Sequence, residues 1–308
     1  MVSAPAGREY DLPSVLRLLD LERVGEQPED GRCGAERFVA RHPDRVGFSR
    51  TFGGQLLAQS LIAAARTVGG PQHVHSTQTH FIRGGDPKRD LDITVERLRD
   101  GRSFANRRVD VAQDGSVVCT MLAAFSESGS GLEHGPAAPA VPPPAELPVF
   151  DEALAGYEES LPAFAGALHP IDLRYANDPP WVQKGTGESR TDNRVWMRPA
   201  GAIPDAPCLH AALLAYASDM TVLDSVLTRH GLSWGLDRVL AATLNHSLWF
   251  HRPARFDRWL LYVSTSPVAT ASRGTGSGTF FDADGAPVAS SVQEGVVRHF
   301  PPRAARRV

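Results

Sequence analysis

The sequence predicts an α+β chain built from two tandem repeats, each a helix followed by antiparallel strands. Three observations carry this reading. A proline-rich stretch near the middle divides the 308 residues into two parts of similar size. Each part holds one segment of helical period followed by four strand-like segments. Short motifs recur in both parts at nearly constant spacing, as a repeated fold requires.

The divider contains "SESGSGLEHGPAAPAVPPPAELP". Its prolines and small residues suit neither a helix nor a central strand, so residues 126–150 are expected to be an exposed linker. The N-terminal repeat then occupies 1–125 and the C-terminal repeat 151–308. In the first, "GGQLLAQSLIAAARTV" has helical spacing. The strand-like segments "HVHSTQTHFIR", "LDITVERLR", "SFANRRVDVAQ" and "SVVCTMLAAF" follow it. Asp100-Gly101 and Asp114-Gly115 supply hairpin turns, because glycine provides the positive φ that tight turns need. In the second, "HAALLAYASDMTVLDSVL" reads as a helix, followed by "ATLNHSLWFHRP", "RWLLYVSTS", "ATASRGTGSGTFFD" and "APVASSVQEGVVR". Phe81 answers Phe250 at an offset of 169, and Asp114-Gly115 answers Asp284-Gly285 at 170. The LLA triplets at Leu56 and Leu213 are only 157 apart, so the second repeat carries about a dozen extra residues between helix and next strand.

Composition excludes several function classes. The chain is 42% hydrophobic and 22% charged with a net charge of -3, which is ordinary for a globular protein and leaves no basic excess for nucleic acid. The terminal "RAARRV" is expected to be a frayed tail. No run approaches the roughly 20 apolar residues of a membrane span, and the start lacks a signal-peptide pattern, so a cytoplasmic location is expected. Cys33, Cys119 and Cys208 are odd in number and widely separated, which suggests neither disulfides nor a cysteine metal site. No His/Asp/Glu spacing resembles a metal site, and no cofactor is expected.

The extra segment contains "GLSWG", a G-x-S-x-G pattern centred on Ser233. A nucleophile elbow needs a buried strand before the serine and a helix after it. Here "VLDSVLTRH" continues a helix and Gly231 resembles a helix-ending glycine, so Ser233 reads as a loop residue. More informative are polar residues that break the repeat. Asp219 stands on a helix among Ala215, Tyr216, Val222 and Leu223, and its counterpart is Ile62. An unpaired buried carboxylate is costly and usually has a partner or a task. Asp224, beside Thr221 and Thr228, reads instead as solvated. Thr243 answers Val74, and Gln293, on a strand face with Ala289, Ser291 and Val297, answers Ala123. Each residue alone has an ordinary reading, as strand former, exposed amide or solvated acid; their coincidence is what singles them out.

The motifs "FGGQ", "LRDGRSF", "YASD", "NHSLWFHRP" and "VQEGVVR" resemble the bacterial acyl-CoA thioesterase II, or TesB-like, family over roughly Val46 to Arg298. The resemblance implies a double hotdog, in which each repeat wraps an antiparallel sheet around one long helix and the two sheets join. Added strands from "ERFVAR" and "NRVWMRP" are expected before each helix. It implies hydrolysis of fatty acyl-CoA to fatty acid and coenzyme A, with Asp219, Thr243 and Gln293 holding an attacking water and no covalent intermediate. Backbone N–H groups at Gly53 and Gly54 are candidate oxyanion donors. Arg83, Arg102 and Arg252 are candidates for the polyanionic coenzyme. A homodimer or homotetramer is expected. The strand "VHSTQTHFIRGGD" departs from the family pattern at Gln78, His80 and Gly84, which puts chain-length preference in doubt. His75 and His246 are expected to fill strand hydrogen bonds. The competing hypotheses are a serine esterase through Ser233, a hotdog dehydratase, for which Asp224 and His230 are poorly spaced, and a non-catalytic acyl-CoA binder.

Overall fold

The computed structural model describes residues 11–26, 35–41, 50–161, 170–253 and 255–300. Cys33 and the arginine-rich tail lie outside the described residues. Among the described residues, twelve strands form one antiparallel sheet around two central helices. The first repeat holds β1 (Glu22–Glu26), β2 (Glu36–Ala40), β3 (His73–Phe81), β4 (Leu91–Asp100), β5 (Phe104–Gln113) and β6 (Ser116–Ser126). The second holds β7 (Ile171–Tyr175), β8 (Asp192–Pro199), β9 (Val239–Phe250), β10 (Leu260–Thr270), β11 (Arg273–Phe281) and β12 (Pro287–His299). The order β1-β2-β4-β5-β6-β3-β9-β12-β11-β10-β8-β7 reads the same from either edge once repeat counterparts are exchanged. This is the double hotdog that the family resemblance implies.

The register makes the repeat quantitative. β3 and β9 pair antiparallel at the centre, and Gln78 lies opposite Ser247. Those two residues are themselves 169 apart, so the pseudo-twofold axis passes between them. Each repeat has a β-bulge at the same place. His75 is the extra residue between Val74↔Phe125 and Ser76↔Ala124. Leu244 is the extra residue between Thr243↔Gly295 and Asn245↔Glu294. Bulges bend a strand and re-aim the side chains beside them, and here each stands next to Val74 or its counterpart Thr243.

Two helices fill the interior. α2 (Gly53–Ala65) is buried from Gly54 to Ala64, and α5 (Pro207–Ser218) from His210 to Ser218. A helix that is apolar on nearly all sides must be enclosed. These two pack against each other and are wrapped by the sheet. On α2, Gln59 Nε2 donates to the Leu18 carbonyl at 3.0 Å, at the end of the small helix α1 (Leu12–Leu18). Below the C-terminus of α2, the fully buried Arg107 donates to Thr67 Oγ1 at 2.7 Å, the Thr67 carbonyl at 3.0 Å and Asp100 at 2.5 Å. That arrangement accounts for the Asp in "LRDGRSF". Short helices α3 (Phe150–Leu154), α4 (Pro180–Thr186) and α6 (Asp224–Thr228) complete the C-terminal repeat.

Several expectations need correction. Residues 207–228 do not form one helix: α5 stops at Ser218, Asp219 is its C-cap, and the chain turns before α6. Matched by helix ends, the counterpart of Asp219 is therefore Arg66, the C-cap of α2, rather than Ile62. Asp114, Gly115 and Gly285 do have positive φ, but Gly101, the first of three residues connecting β4 to β5, does not. The segment "ATASRGTGSGTFFD" is not one strand. It contains a hairpin turn at Ala271 and Ser272, both at positive φ (48° and 60°). The expected turn residues are absent there, so neither the turn nor the strand boundary is visible in the sequence.

An alanine and a serine in the left-handed region each cost about 1–2 kcal/mol. The double substitution Ala271→Asn with Ser272→Gly supplies the residue types that this turn favours. It is expected to raise unfolding stability by roughly 1–2 kcal/mol. Denaturant titration checks this; an unchanged midpoint would show that the turn is unstrained.

Candidate active site

The antiparallel helix pair brings the N-terminus of α2 against the C-terminus of α5. A Cβ on Gly53 would lie 2.6 Å from Asp219 Oδ2, and one on Gly54 would overlap the Tyr216 carbonyl. Both positions therefore require glycine for close approach. The first N–H groups of any α-helix lack intrahelical acceptors and carry partial positive charge. The Gly54 N–H is satisfied by the Asp219 carboxylate. Asp219 thus serves α2 as an N-terminal anion supplied by the other repeat.

From its position at the end of α5, Asp219 Oδ1 accepts a hydrogen bond from Thr243 Oγ1 on β9 at 3.3 Å. Gln293 Nε2 on β12 donates to the same Thr243 oxygen at 3.0 Å. Because the threonine proton goes to the carboxylate, its oxygen must accept, which fixes the orientation of the Gln293 amide. Gln293 Oε1 is then a buried acceptor with no partner among the described residues. Burial pushes the Asp219 carboxyl up to about 6, against the lowering pull of Gln293, the Gly54 N–H and Thr243. The structure therefore brings together Asp219, Thr243, Gln293, Gly53 and Gly54.

Behind them, His246 Nε2 lies 3.0 Å from Ser218 Oγ, and burial drives its pKa down to about 3. A neutral, enclosed imidazole holds the end of α5 in place. His75 instead stacks edge-on against Phe104, with ring centroids 6.3 Å apart, away from this cluster. The three arginines separate as well. Arg83 follows β3 at the end that brings Phe81 against Gly53. Arg252 belongs to the opposite end of the helix pair, and the Arg102 carbonyl is held by Gln72, also toward that end. Sequence reasoning missed Arg50. Its stem lies over Gly84, where a Cβ would come within 2.7 Å of Arg50 Cδ. Gly84 is one of the departures from the family pattern, and its lack of a side chain is what admits Arg50.

Ser233 is buried in a turn after α6. Its hydroxyl donates to the Trp234 carbonyl at 3.2 Å, and its N–H goes to Asp237 at 2.9 Å. Gly231 and Gly235 have φ of 64° and 71°. A Cβ on Gly235 would also overlap the Leu161 side chain. Turn geometry thus accounts for both glycines of "GLSWG". Asp224 corrects another expectation, since it is buried rather than solvated. It accepts from Trp234 Nε1 at 2.5 Å, and burial lifts its carboxyl to about 7 despite that bond and the nearby Arg190. The partner is ten residues away across a turn, which helix spacing does not reveal.

The acyl-CoA thioesterase family model matches residues 164–296, and the acyl-CoA thioesterase N-terminal domain model matches 42–126. Acyl-CoA thioesterase 2 of Haemophilus influenzae is 32% identical over 294 residues, covering 93% of this chain and 98% of that protein. This chain belongs to the TesB-like acyl-CoA thioesterase II family. Human acyl-coenzyme A thioesterase 8 is 35% identical over 302 residues, covering 94% and 90% of the two chains. The acyl-CoA thioesterase II TesB2 of Mycobacterium marinum superimposes with a TM-score of 0.72 at 33% identity, covering 94% of this chain and all of that one.

A raised folded-state pKa means that Asp224 favours folding below about pH 4, its unfolded value, and loses that contribution as pH climbs through about 7. Asp224→Asn keeps an acceptor for Trp234 and removes the buried charge. Its melting temperature relative to wild type is expected to rise between pH 5 and pH 8.5. A difference that is flat with pH would show that Asp224 is not neutral in the folded protein.

Proposed function

We propose that this family member hydrolyses fatty acyl-CoA through a water held by Asp219, Thr243 and Gln293, without a covalent enzyme intermediate. The observation that carries the proposal is the hydrogen-bond chain from Gln293 through Thr243 to Asp219, which leaves one buried amide oxygen unpartnered beside a basic carboxylate. A water accepted into that corner gives its protons to Asp219 and Gln293 Oε1 and presents a lone pair to the thioester carbonyl. Holding it there supplies the proximity that a free water lacks.

In the first step the water oxygen bonds to the carbonyl carbon as Asp219 takes its proton. The carbonyl electrons move to oxygen, and the N-terminal field of α2, with the Gly53 N–H as donor, stabilises the oxyanion. In the second step the C–S bond breaks. Coenzyme A leaves as a thiolate that recovers the proton from Asp219, and the free fatty acid remains. An ordinary aspartate at pKa about 4 is a weak base; burial strengthens it to about 6 while leaving it ionised at neutral pH. Arg83 and Arg50, at the same end of the helix pair, are the cations proposed to meet the phosphates of the coenzyme.

Thiol release from a panel of acyl-CoAs tests this. Asp219→Asn is expected to lose about 10²–10⁴-fold in kcat/KM, the span of general-base catalysis. Thr243→Val and Gln293→Ala should lose about 10–100-fold, as positioning of the water weakens. Ser233→Ala should keep wild-type rates, whereas a dead Ser233→Ala would replace the water mechanism with an acyl-serine one.

The pH profile is a separate check. Only ionised Asp219 acts as the base, so kcat/KM should fall tenfold per unit below about pH 6 and level off above it. A profile flat from pH 5 to 8 would remove Asp219 from the role of base.

A further inference from the structure

At the other end of the helix pair lies a cavity of about 660 Å³, within the roughly 300–1,000 Å³ span of small-molecule sites. It is the repeat counterpart of the site just described. Val74 stands in the strand position of Thr243, and Phe250 in that of Phe81. Ala65 and Val68 at the end of α2 face Pro207 and Cys208 at the start of α5. The hydrolytic groups are missing from it. Ala123 replaces Gln293. The C-cap counterpart of Asp219 is Arg66, whose guanidinium turns away to the Leu21 carbonyl at 2.6 Å.

We propose that this cavity is a second acyl site, which holds a fatty acyl chain ending in a carbonyl or carboxylate and does not hydrolyse it. The proposal rests on the thioesterase reading only for the class of ligand that a repeat-related site should take. Its walls agree with that class: Leu61, Val68, Val74, Phe104, Phe125 and Phe250 are apolar. Phe104 is 51% exposed, so a bound chain would cover aromatic surface that water now meets. Polar groups share the lining, Gln72, His75, Ser126 and Glu127 among them, and His251 and Arg252 are the ones suited to meet a terminal oxygen. Among the described residues the Arg252 guanidinium has a single ion pair to give up, a 3.5 Å contact with the exposed Glu133. Two sources could fill the site, the substrate acyl-CoA or the released fatty acid, and both offer the same chain and terminal oxygen.

Cys208 is a native reporter. It lines the cavity and is exposed, whereas Cys119 is buried and its thiol is pushed up to about 12 by burial. Cys208 in the first turn of α5 and Asp219 at its C-cap are eleven residues apart, about 16 Å along the helix, so Cys208 reports on the end opposite the catalytic one. The experiment follows alkylation of Cys208 by iodoacetamide in the full chain, read by peptide mass spectrometry. The probes are lauric acid, a non-hydrolysable dodecyl-CoA thioether, and coenzyme A alone. Lauric acid, the thioether or both should slow alkylation at least tenfold, and whichever protects identifies the source. Ala65→Trp, with Val68→Trp as a second variant, should abolish protection while thiol release persists. Unchanged alkylation with both acyl probes overturns the proposal, as does equal protection by coenzyme A alone. Protection that survives in both tryptophan variants overturns it too. If wild type releases thiol but Cys208 is never protected, only the second site falls; if Cys208 is protected but no thiol is released, only the hydrolytic reading falls.

Discussion

The pairing of β3 with β9 is the constraint on which the rest of the molecule depends. It sets two six-strand sheets edge to edge about an axis between Gln78 and Ser247. The helix on the inner face of each sheet then meets the other, running the opposite way. Opposed helices place an N-terminus against a C-terminus at both ends, so two comparable environments arise from one act of strand pairing. Each has positive helix dipole on one side, sheet on another and a bulged strand beneath.

The two ends have diverged in polarity. At one, Asp219 faces Gly53 and Gly54 and is tied through Thr243 to Gln293. At the other, Val74 and Ala123 occupy the strand positions, and the cavity is walled by phenylalanines. A buried carboxylate is expensive, and its cost is offset only where a helix N-terminus and hydrogen-bond donors converge. That requirement makes the three polar residues interdependent. Thr243 without Asp219 has no acceptor for its proton, and Gln293 without Thr243 has no fixed orientation. The asymmetry is therefore a property of a network, and the surrounding apolar residues set its electrostatics by excluding water.

Much of this was legible in the sequence. Offsets of 169 and 170 between strand motifs correspond to the register and to the matched bulges at His75 and Leu244. Thr243 and Gln293 stood out because a polar residue answering an apolar one in a repeat is visible without a structure, and Asp219 because a carboxylate stood among apolar helix neighbours. Other features were hidden for identifiable reasons. The hairpin at Ala271-Ser272 uses residues that do not favour positive φ, so no turn signal exists. β1 (ERVGE) is a short edge strand without apolar alternation, so its pairing with β2 is what defines it. Asp224 looked solvated because its partner Trp234 comes from across a turn.

Local patterns alone determined the repeated helix-and-strand plan, the turns at Asp114-Gly115 and Asp284-Gly285, and which polar residues broke the repeat. Only the tertiary structure decided that the predicted helix ends at Asp219, that this carboxylate caps the helix of the other repeat, and that Arg50 rather than Arg252 shares its end of the molecule. The division has one physical cause. Periodicity records which way a side chain faces along its own element, whereas a carboxylate's partners, burial and basicity are set by elements far away in the chain that packing brings to it.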